Sequence, residues 1–225
     1  MEVVPTSDLI GEHLSSLAES FAADELAFLA MTSKIERPVL DRLAFALSSS
    51  LWPSGWLVAR EWRGIGSLRI DLAILRGLVP HVLVEAKSMV SFDCTKQGQG
   101  QREYADHLQN DLKRFEKENL PDTQIFSLLL AIHPRDPIPR ALQGVFKYWV
   151  GVDRAMRRFA SEDKIRDACE KNLLRFLRPD ILLKSGSISG GTAFEVRMDL
   201  LWWLFGPFTS PKKLRILRES EESLY

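Results

Sequence analysis

Residues 69–89 read RIDLAILRGLVPHVLVEAKSM. Two runs rich in branched apolar residues flank RGLVP, which is the composition of two strands joined by a turn. Yet these runs carry Asp71, Glu85 and Lys87. Paired as an antiparallel hairpin turning near Leu78, they set Asp71 across from Glu85, Ile70 from Ala86, Leu72 from Val84 and Ile74 from Val82. Side chains alternate between the two faces of a strand, so one face becomes wholly apolar, with Ile70, Leu72, Ile74, Val82, Val84 and Ala86. The other face gathers Asp71, Glu85 and Lys87. A slip of one residue would bury an acid on the apolar face, which argues for this register.

Two carboxylates directly opposite each other across strands repel unless something positive lies between them. A divalent cation removes the conflict. Oxygen ligands of this kind suit Mg²⁺ or Mn²⁺, and such sites keep open positions for water and phosphate oxygens.

Outward from the hairpin, the chain alternates helix and strand patterns. Ser7 or Asp8 is placed to cap a first helix reaching about Ala30, on Leu9, Leu14, Leu17, Phe21 and Leu26. A second helix in SKIERPVLDRLAFALSS carries the stripe Leu40, Leu43, Ala44 and Leu47, with Glu36 in its first turn beside Pro38. WLVAREW is a strand preceding the hairpin. QREYADHLQNDLKRFEK follows as a helix burying Tyr104, Leu108, Leu112 and Phe115. QIFSLLLAIHP is an apolar strand of the kind covered on both faces. The order predicts an α/β fold with a mixed central sheet flanked by helices. Residues 1–32 read as an N-terminal helix, 33–139 as the core, and 140–225 as a helical and hairpin elaboration packed on it in one globular domain.

The pattern Ile70-Asp71, thirteen intervening residues, then Glu85-Ala86-Lys87 resembles the PD-(D/E)XK nuclease superfamily. The resemblance covers residues 33–133 and implies a restriction-endonuclease-like core of helix, three antiparallel strands, helix and a further strand. One departure is Ile70, which stands where the motif has proline. The resemblance implies that Asp71, Glu85 and the Ala86 carbonyl hold Mg²⁺, with Mn²⁺ able to substitute. It further implies that Glu36 contributes to metal or water binding, and that Lys87 positions and helps deprotonate the attacking water. The implied activity is hydrolysis of phosphodiester bonds, with DNA the expected substrate and 5′-phosphate and 3′-hydroxyl ends the products. The same fold kept as a non-catalytic nucleic-acid or protein-binding module is the alternative, and an ordinary hairpin with one solvated face is the bland reading.

Other residues extend or limit this reading. Arg60, Arg63 and Arg69 are candidate phosphate contacts, because arginine presents a planar donor fork. Gln101 and Arg102 open the helix after the motif and are further candidates. Trp52, Trp56 and Trp62 suit base stacking or the core. Asp111, Lys113 and Arg114 read as a solvated helix face with pairing among themselves. His81 lies too far from Lys87 for catalysis, His133 reads as a turn residue, and RAMRRF at 154–159 is the densest basic cluster.

Thirty basic and thirty acidic residues cancel, so attraction to a polyanion would have to be local, and histone-like binding is disfavoured. Cys94 and Cys169 form neither a disulfide framework nor a zinc pattern. The longest apolar run, DLLWWLFGPF, falls short of the ~20 residues that span a bilayer. A cytoplasmic protein, a nucleic-acid partner and a possible homodimer are the expectations. Serine-elbow, P-loop and histidine-rich metal chemistries lack their motifs.

Overall fold

The computed structural model describes residues 5–66, 68–95, 100–116, 118, 120, 122–147, 167–173 and 181–208. Helices α1 (Ser7–Ser15), α2 (Glu25–Thr32) and α3 (Glu36–Leu51) precede strands β1 (Trp56–Trp62), β2 (Ile70–Arg76) and β3 (Val79–Val90). A short α4 (Ser91–Thr95), the long α5 (Gly100–Glu116) and β4 (Gln124–Pro134) follow. The hairpin β5 (Leu182–Ala193) and β6 (Val196–Phe208) completes the order.

The first helix is shorter than expected. Thr6, rather than Ser7 or Asp8, caps it by accepting the Leu9 N–H at 3.2 Å. It stops at Ser15, where hydroxyls turn back onto the main chain: Ser15 Oγ donates to Gly11 O at 2.8 Å and Ser20 Oγ to Leu17 O at 2.6 Å. Such side chains compete with the helical ladder. Asp24, at φ 64°, then breaks the path into α2.

Six strands form one sheet in the order β1-β2-β3-β4-β6-β5. β3 and β4 run parallel, joined through α4 and α5, and every other neighbouring pair is antiparallel. The C-terminal hairpin is therefore continuous with the sheet, since β6 pairs with β4 from Ile125↔Phe208 to Pro134↔Met198. RAMRRF lies outside the described residues.

The β2–β3 register is the one the apolar pattern demands, with Leu72↔Val84 and Ile74↔Val82. A bulge between Ile74 and Leu75 then shifts the pairing to Leu75↔Pro80. This accommodates Gly77 at φ 62° in the turn, a conformation glycine adopts without strain.

Leu72, Ile74, Val82 and Val84 join the main core with Val39, Leu40, Leu43 and Leu47 of α3. The opposite face is not simply solvated. Ile65, Leu68, Ile70, Ala73, Leu75, Leu83 and Phe115 of α5 form a second buried cluster there. Ile70 belongs to this cluster rather than to the main core, because the chain approaching β2 folds over that face. The acidic face is thus apolar at one end and charged at the other.

At the far side of the sheet, Gly186 of β5 pairs with Trp202 of β6. A Cβ at Gly186 would fall 2.6 Å from the indole ring, which is buried and cannot retreat. Replacing Gly186 with alanine should cost ~1–3 kcal/mol as an overpacked contact, read from the urea midpoint. An unchanged midpoint would show that the Trp202 ring has room to move.

Candidate active site at the end of the hairpin

The site begins where the ladder between β2 and β3 stops. Beyond Leu72↔Val84, Ala86 N–H finds no main-chain partner on β2, and the Asp71 side chain supplies one: Oδ2 accepts it at 2.9 Å. Two residues further on, Ser88 N–H donates to Glu36 Oε1 at 2.7 Å. N–H groups two apart on a strand point the same way. Asp71 from β2 and Glu36 from α3 therefore occupy adjacent positions along one edge of β3. Lys87 lies between the two pinned peptides.

Glu85 and Lys87 project toward α5. Glu85 is 6% exposed, with the Asp71 carboxyl close enough to act on it electrostatically. Burial first, then the neighbouring charges of Asp71 and Asp111, push Glu85 up to about 8. At neutral pH the Glu85 carboxyl is therefore mostly protonated. Lys87 Nζ stands 3.9 Å from Glu85 Oε2 and 3.2 Å from Asp111 Oδ2. Burial alone would depress the Lys87 ammonium, but Asp111 and Glu85 together outweigh it and raise it above its ordinary value. Lys87 is thus a fixed cation at neutral pH. This argues against its acting as the base that deprotonates water, one part of the role the motif implies.

Asp111 corrects a second expectation. Its carboxylate is only 12% exposed and bridges Lys87 and Arg114, whose Nη1 stands 3.2 Å from Oδ1. The signal was in the spacing: Tyr104, Leu108, Asp111 and Phe115 share one helical stripe, and the other three are buried. Tyr104 also marks how α5 lies over the site. Its hydroxyl is 2.9 Å from Ser127 Oγ, and Ser127 is the register partner of Glu85.

The arginines divide. Arg60 is committed: Nε donates to the Asp71 carbonyl at 2.9 Å, and Nη1 is paired with Asp41 and donates to Arg37 O at 3.4 Å. It ties Asp71 to α3 and is not available as the phosphate contact expected of it. Arg69 is exposed, 4.0 Å from Glu61, and Arg63 is exposed. Gln101 and Arg102 lie at the start of α5, and their side chains are outside the described residues. Trp56 is a core residue meeting His81 edge-on at 5.0 Å, whereas Trp52 is 65% exposed. His133 is not a turn residue but a buried one, with Nδ1 3.0 Å from Ser91 Oγ.

Comparison of the chain with family models, with curated proteins and with solved structures gives no match in any of the three. No helix among the described residues is long and apolar enough to cross a membrane.

Among the described residues no group of three or more His, Cys, Asp or Glu side chains is arranged to hold a metal ion. The donor set is instead the Asp71 and Glu85 carboxyls and a main-chain oxygen. Because Ala86 N–H points at Asp71, its carbonyl opens toward the same side of β3. Glu85 Oε1 is buried and has no hydrogen-bond partner, as expected of an oxygen placed to bind a cation. By number and type these donors fit one Mg²⁺ or Mn²⁺ that keeps several waters.

The pH dependence of stability follows from Glu85. Its folded value, about 8, lies above the ordinary 4.5, so the stability it contributes is full below pH 4.5 and is lost as pH rises through about 8. In EDTA, wild-type stability should fall by a few kcal/mol between about pH 5 and 9, whereas Glu85→Gln, which cannot ionise, should lose much less. Parallel urea-denaturation curves for the two proteins would refute the buried, protonated Glu85.

Proposed function

We propose that the protein is a Mg²⁺-dependent nuclease, most simply a DNA endonuclease, built on a restriction-endonuclease-like core. The observation that carries this reading is the convergence of Asp71, Glu85 and Lys87 on one face, with Asp71 aimed by the Ala86 N–H. The order α3-β1-β2-β3-α4-α5-β4 supports it, because apart from the short α4 it is the order that the resemblance implies.

Asp71, Glu85 and the Ala86 carbonyl would hold the cation, with Mn²⁺ an acceptable substitute for Mg²⁺. Bound there, it would supply Lewis-acid stabilisation of the phosphate and a water of lowered pKa. The chain's own groups do the rest. Lys87 remains charged and donates hydrogen bonds to the attacking water or to a phosphate oxygen, stabilising charge that grows in the transition state. Asp71 and Glu36, holding the peptides on either side of Lys87, keep that ammonium from wandering. Arg60 holds the main chain of Asp71 and so fixes the angle from which its carboxylate enters. Glu36 acts first as a brace, with one oxygen committed to Ser88 N–H, and through water it would be a further contact to the cation.

The test is incubation with supercoiled plasmid, linear duplex, single-stranded DNA and RNA, in Mg²⁺ and in EDTA. Cleavage should require Mg²⁺ and leave 5′-phosphates. Asp71→Asn and Lys87→Ala should each reduce it at least ~10²-fold, the scale of removing one preorganised electrostatic contact. Lys87→Ala should still bind nucleic acid in Ca²⁺, which occupies oxygen sites of this kind. Binding without cleavage by the wild-type protein would point to the non-catalytic module. Full activity in Asp71→Asn would reduce the hairpin to a structural feature.

A further inference from the structure

Arg114 stands on α5 one carboxylate away from Lys87. Asp111 holds both cations, Lys87 on Oδ2 and Arg114 on Oδ1, each at 3.2 Å. The three groups differ in exposure along a line: the Asp111 side chain is 12% exposed, Lys87 31% and Arg114 49%. An isolated surface arginine is free to sweep through many rotamers, but one tethered to a nearly buried carboxylate is oriented before any ligand arrives. Nη1 of its five-donor fork donates to Asp111 Oδ1, and the side chain is about half exposed. A chain with no net charge must attract a polyanion through local groupings of this sort.

We propose that Arg114 is a phosphate anchor, gripping the phosphate next to the one that Lys87 faces, and that Asp111 is the positioning residue that sets the two cations in register. The inference rests on the nuclease reading and adds to it the residue that holds the strand. An arginine fork is suited to this task, since it meets phosphate oxygens with two parallel N–H donors. Asp111 itself touches neither phosphate. Its two oxygens hold one cation each and so tie Lys87 of β3 to Arg114 of α5.

The test is a mobility-shift titration of a labelled DNA oligonucleotide across several salt concentrations, with Ca²⁺ in place of Mg²⁺, alongside cleavage in Mg²⁺. Arg114→Ala should lower the salt slope by about 0.7–0.9, the loss of one phosphate contact, and Arg114→Lys should restore the slope while recovering affinity only in part. Asp111→Asn, which removes a negative charge, should bind at least as tightly yet cleave about tenfold more slowly, and Asp111→Glu should recover part of the rate. Each variant is first checked for a wild-type unfolding midpoint; where Asp111→Asn is unstable, Arg114→Ala decides alone. If the wild-type protein binds and cleaves but the Arg114→Ala slope is unchanged, the anchor assignment is wrong and the nuclease reading stands. If the wild-type protein binds neither DNA nor RNA, both fall together.

Discussion

Two backbone N–H groups on β3, at Ala86 and Ser88, lie beyond the point where the ladder with β2 stops. Buried main-chain donors left without an acceptor cost about 1–3 kcal/mol each. Here carboxylates from two other elements satisfy them, Asp71 from β2 and Glu36 from α3. This demand for acceptors draws acidic side chains to one point and binds α3 to the end of the hairpin. The site follows from it. Lys87 lies between the two pinned peptides, and Glu85, one residue before Ala86, is directed under α5.

The resulting charge distribution is costly without an added cation. Burial first, then the charges of Asp71 and Asp111, favour the protonated form of Glu85, while Lys87 is drawn toward Asp111 and Glu85. A fold that needed only stability would place apolar residues here, since buried ion pairs seldom improve on well-packed hydrophobic groups. Ala73 and Leu83 are the next residues on that same face, two along the strands from Asp71 and Glu85, so an apolar solution was within reach of the fold. Perturbed, partly buried titratable groups gathered at one place are characteristic of functional sites.

Much of the fold was legible because its signals are local. The alternation in LRIDLAIL and HVLVEAK specified the register, and the structure has Leu72↔Val84 and Ile74↔Val82. The stripes of α3 and α5 and the apolar run of β4 were equally plain. Breaks were harder to read: the path from Ser15 to Asp24 depends on hydroxyl groups bonding to the preceding turn, a competition that hydrophobic spacing does not register. The second buried cluster was also hidden, because it needs the segment around Ile65 and Leu68 to fold back over the sheet.

The sequence by itself determined the α/β order and the placing of Asp71, Glu85 and Lys87 on one side of a hairpin, since strand alternation is a property of neighbouring residues. Which groups those three would meet was settled only in three dimensions. Asp111 reaches Lys87 because α5 crosses the sheet at that height, and Glu36 reaches Ser88 because α3 lies beside the end of β2. Arg60, apparently free for phosphate along the chain, is taken by Asp41 and the Asp71 carbonyl. Each of these contacts joins residues distant in sequence, and its existence depends on how helices pack against a sheet, which no local periodicity encodes.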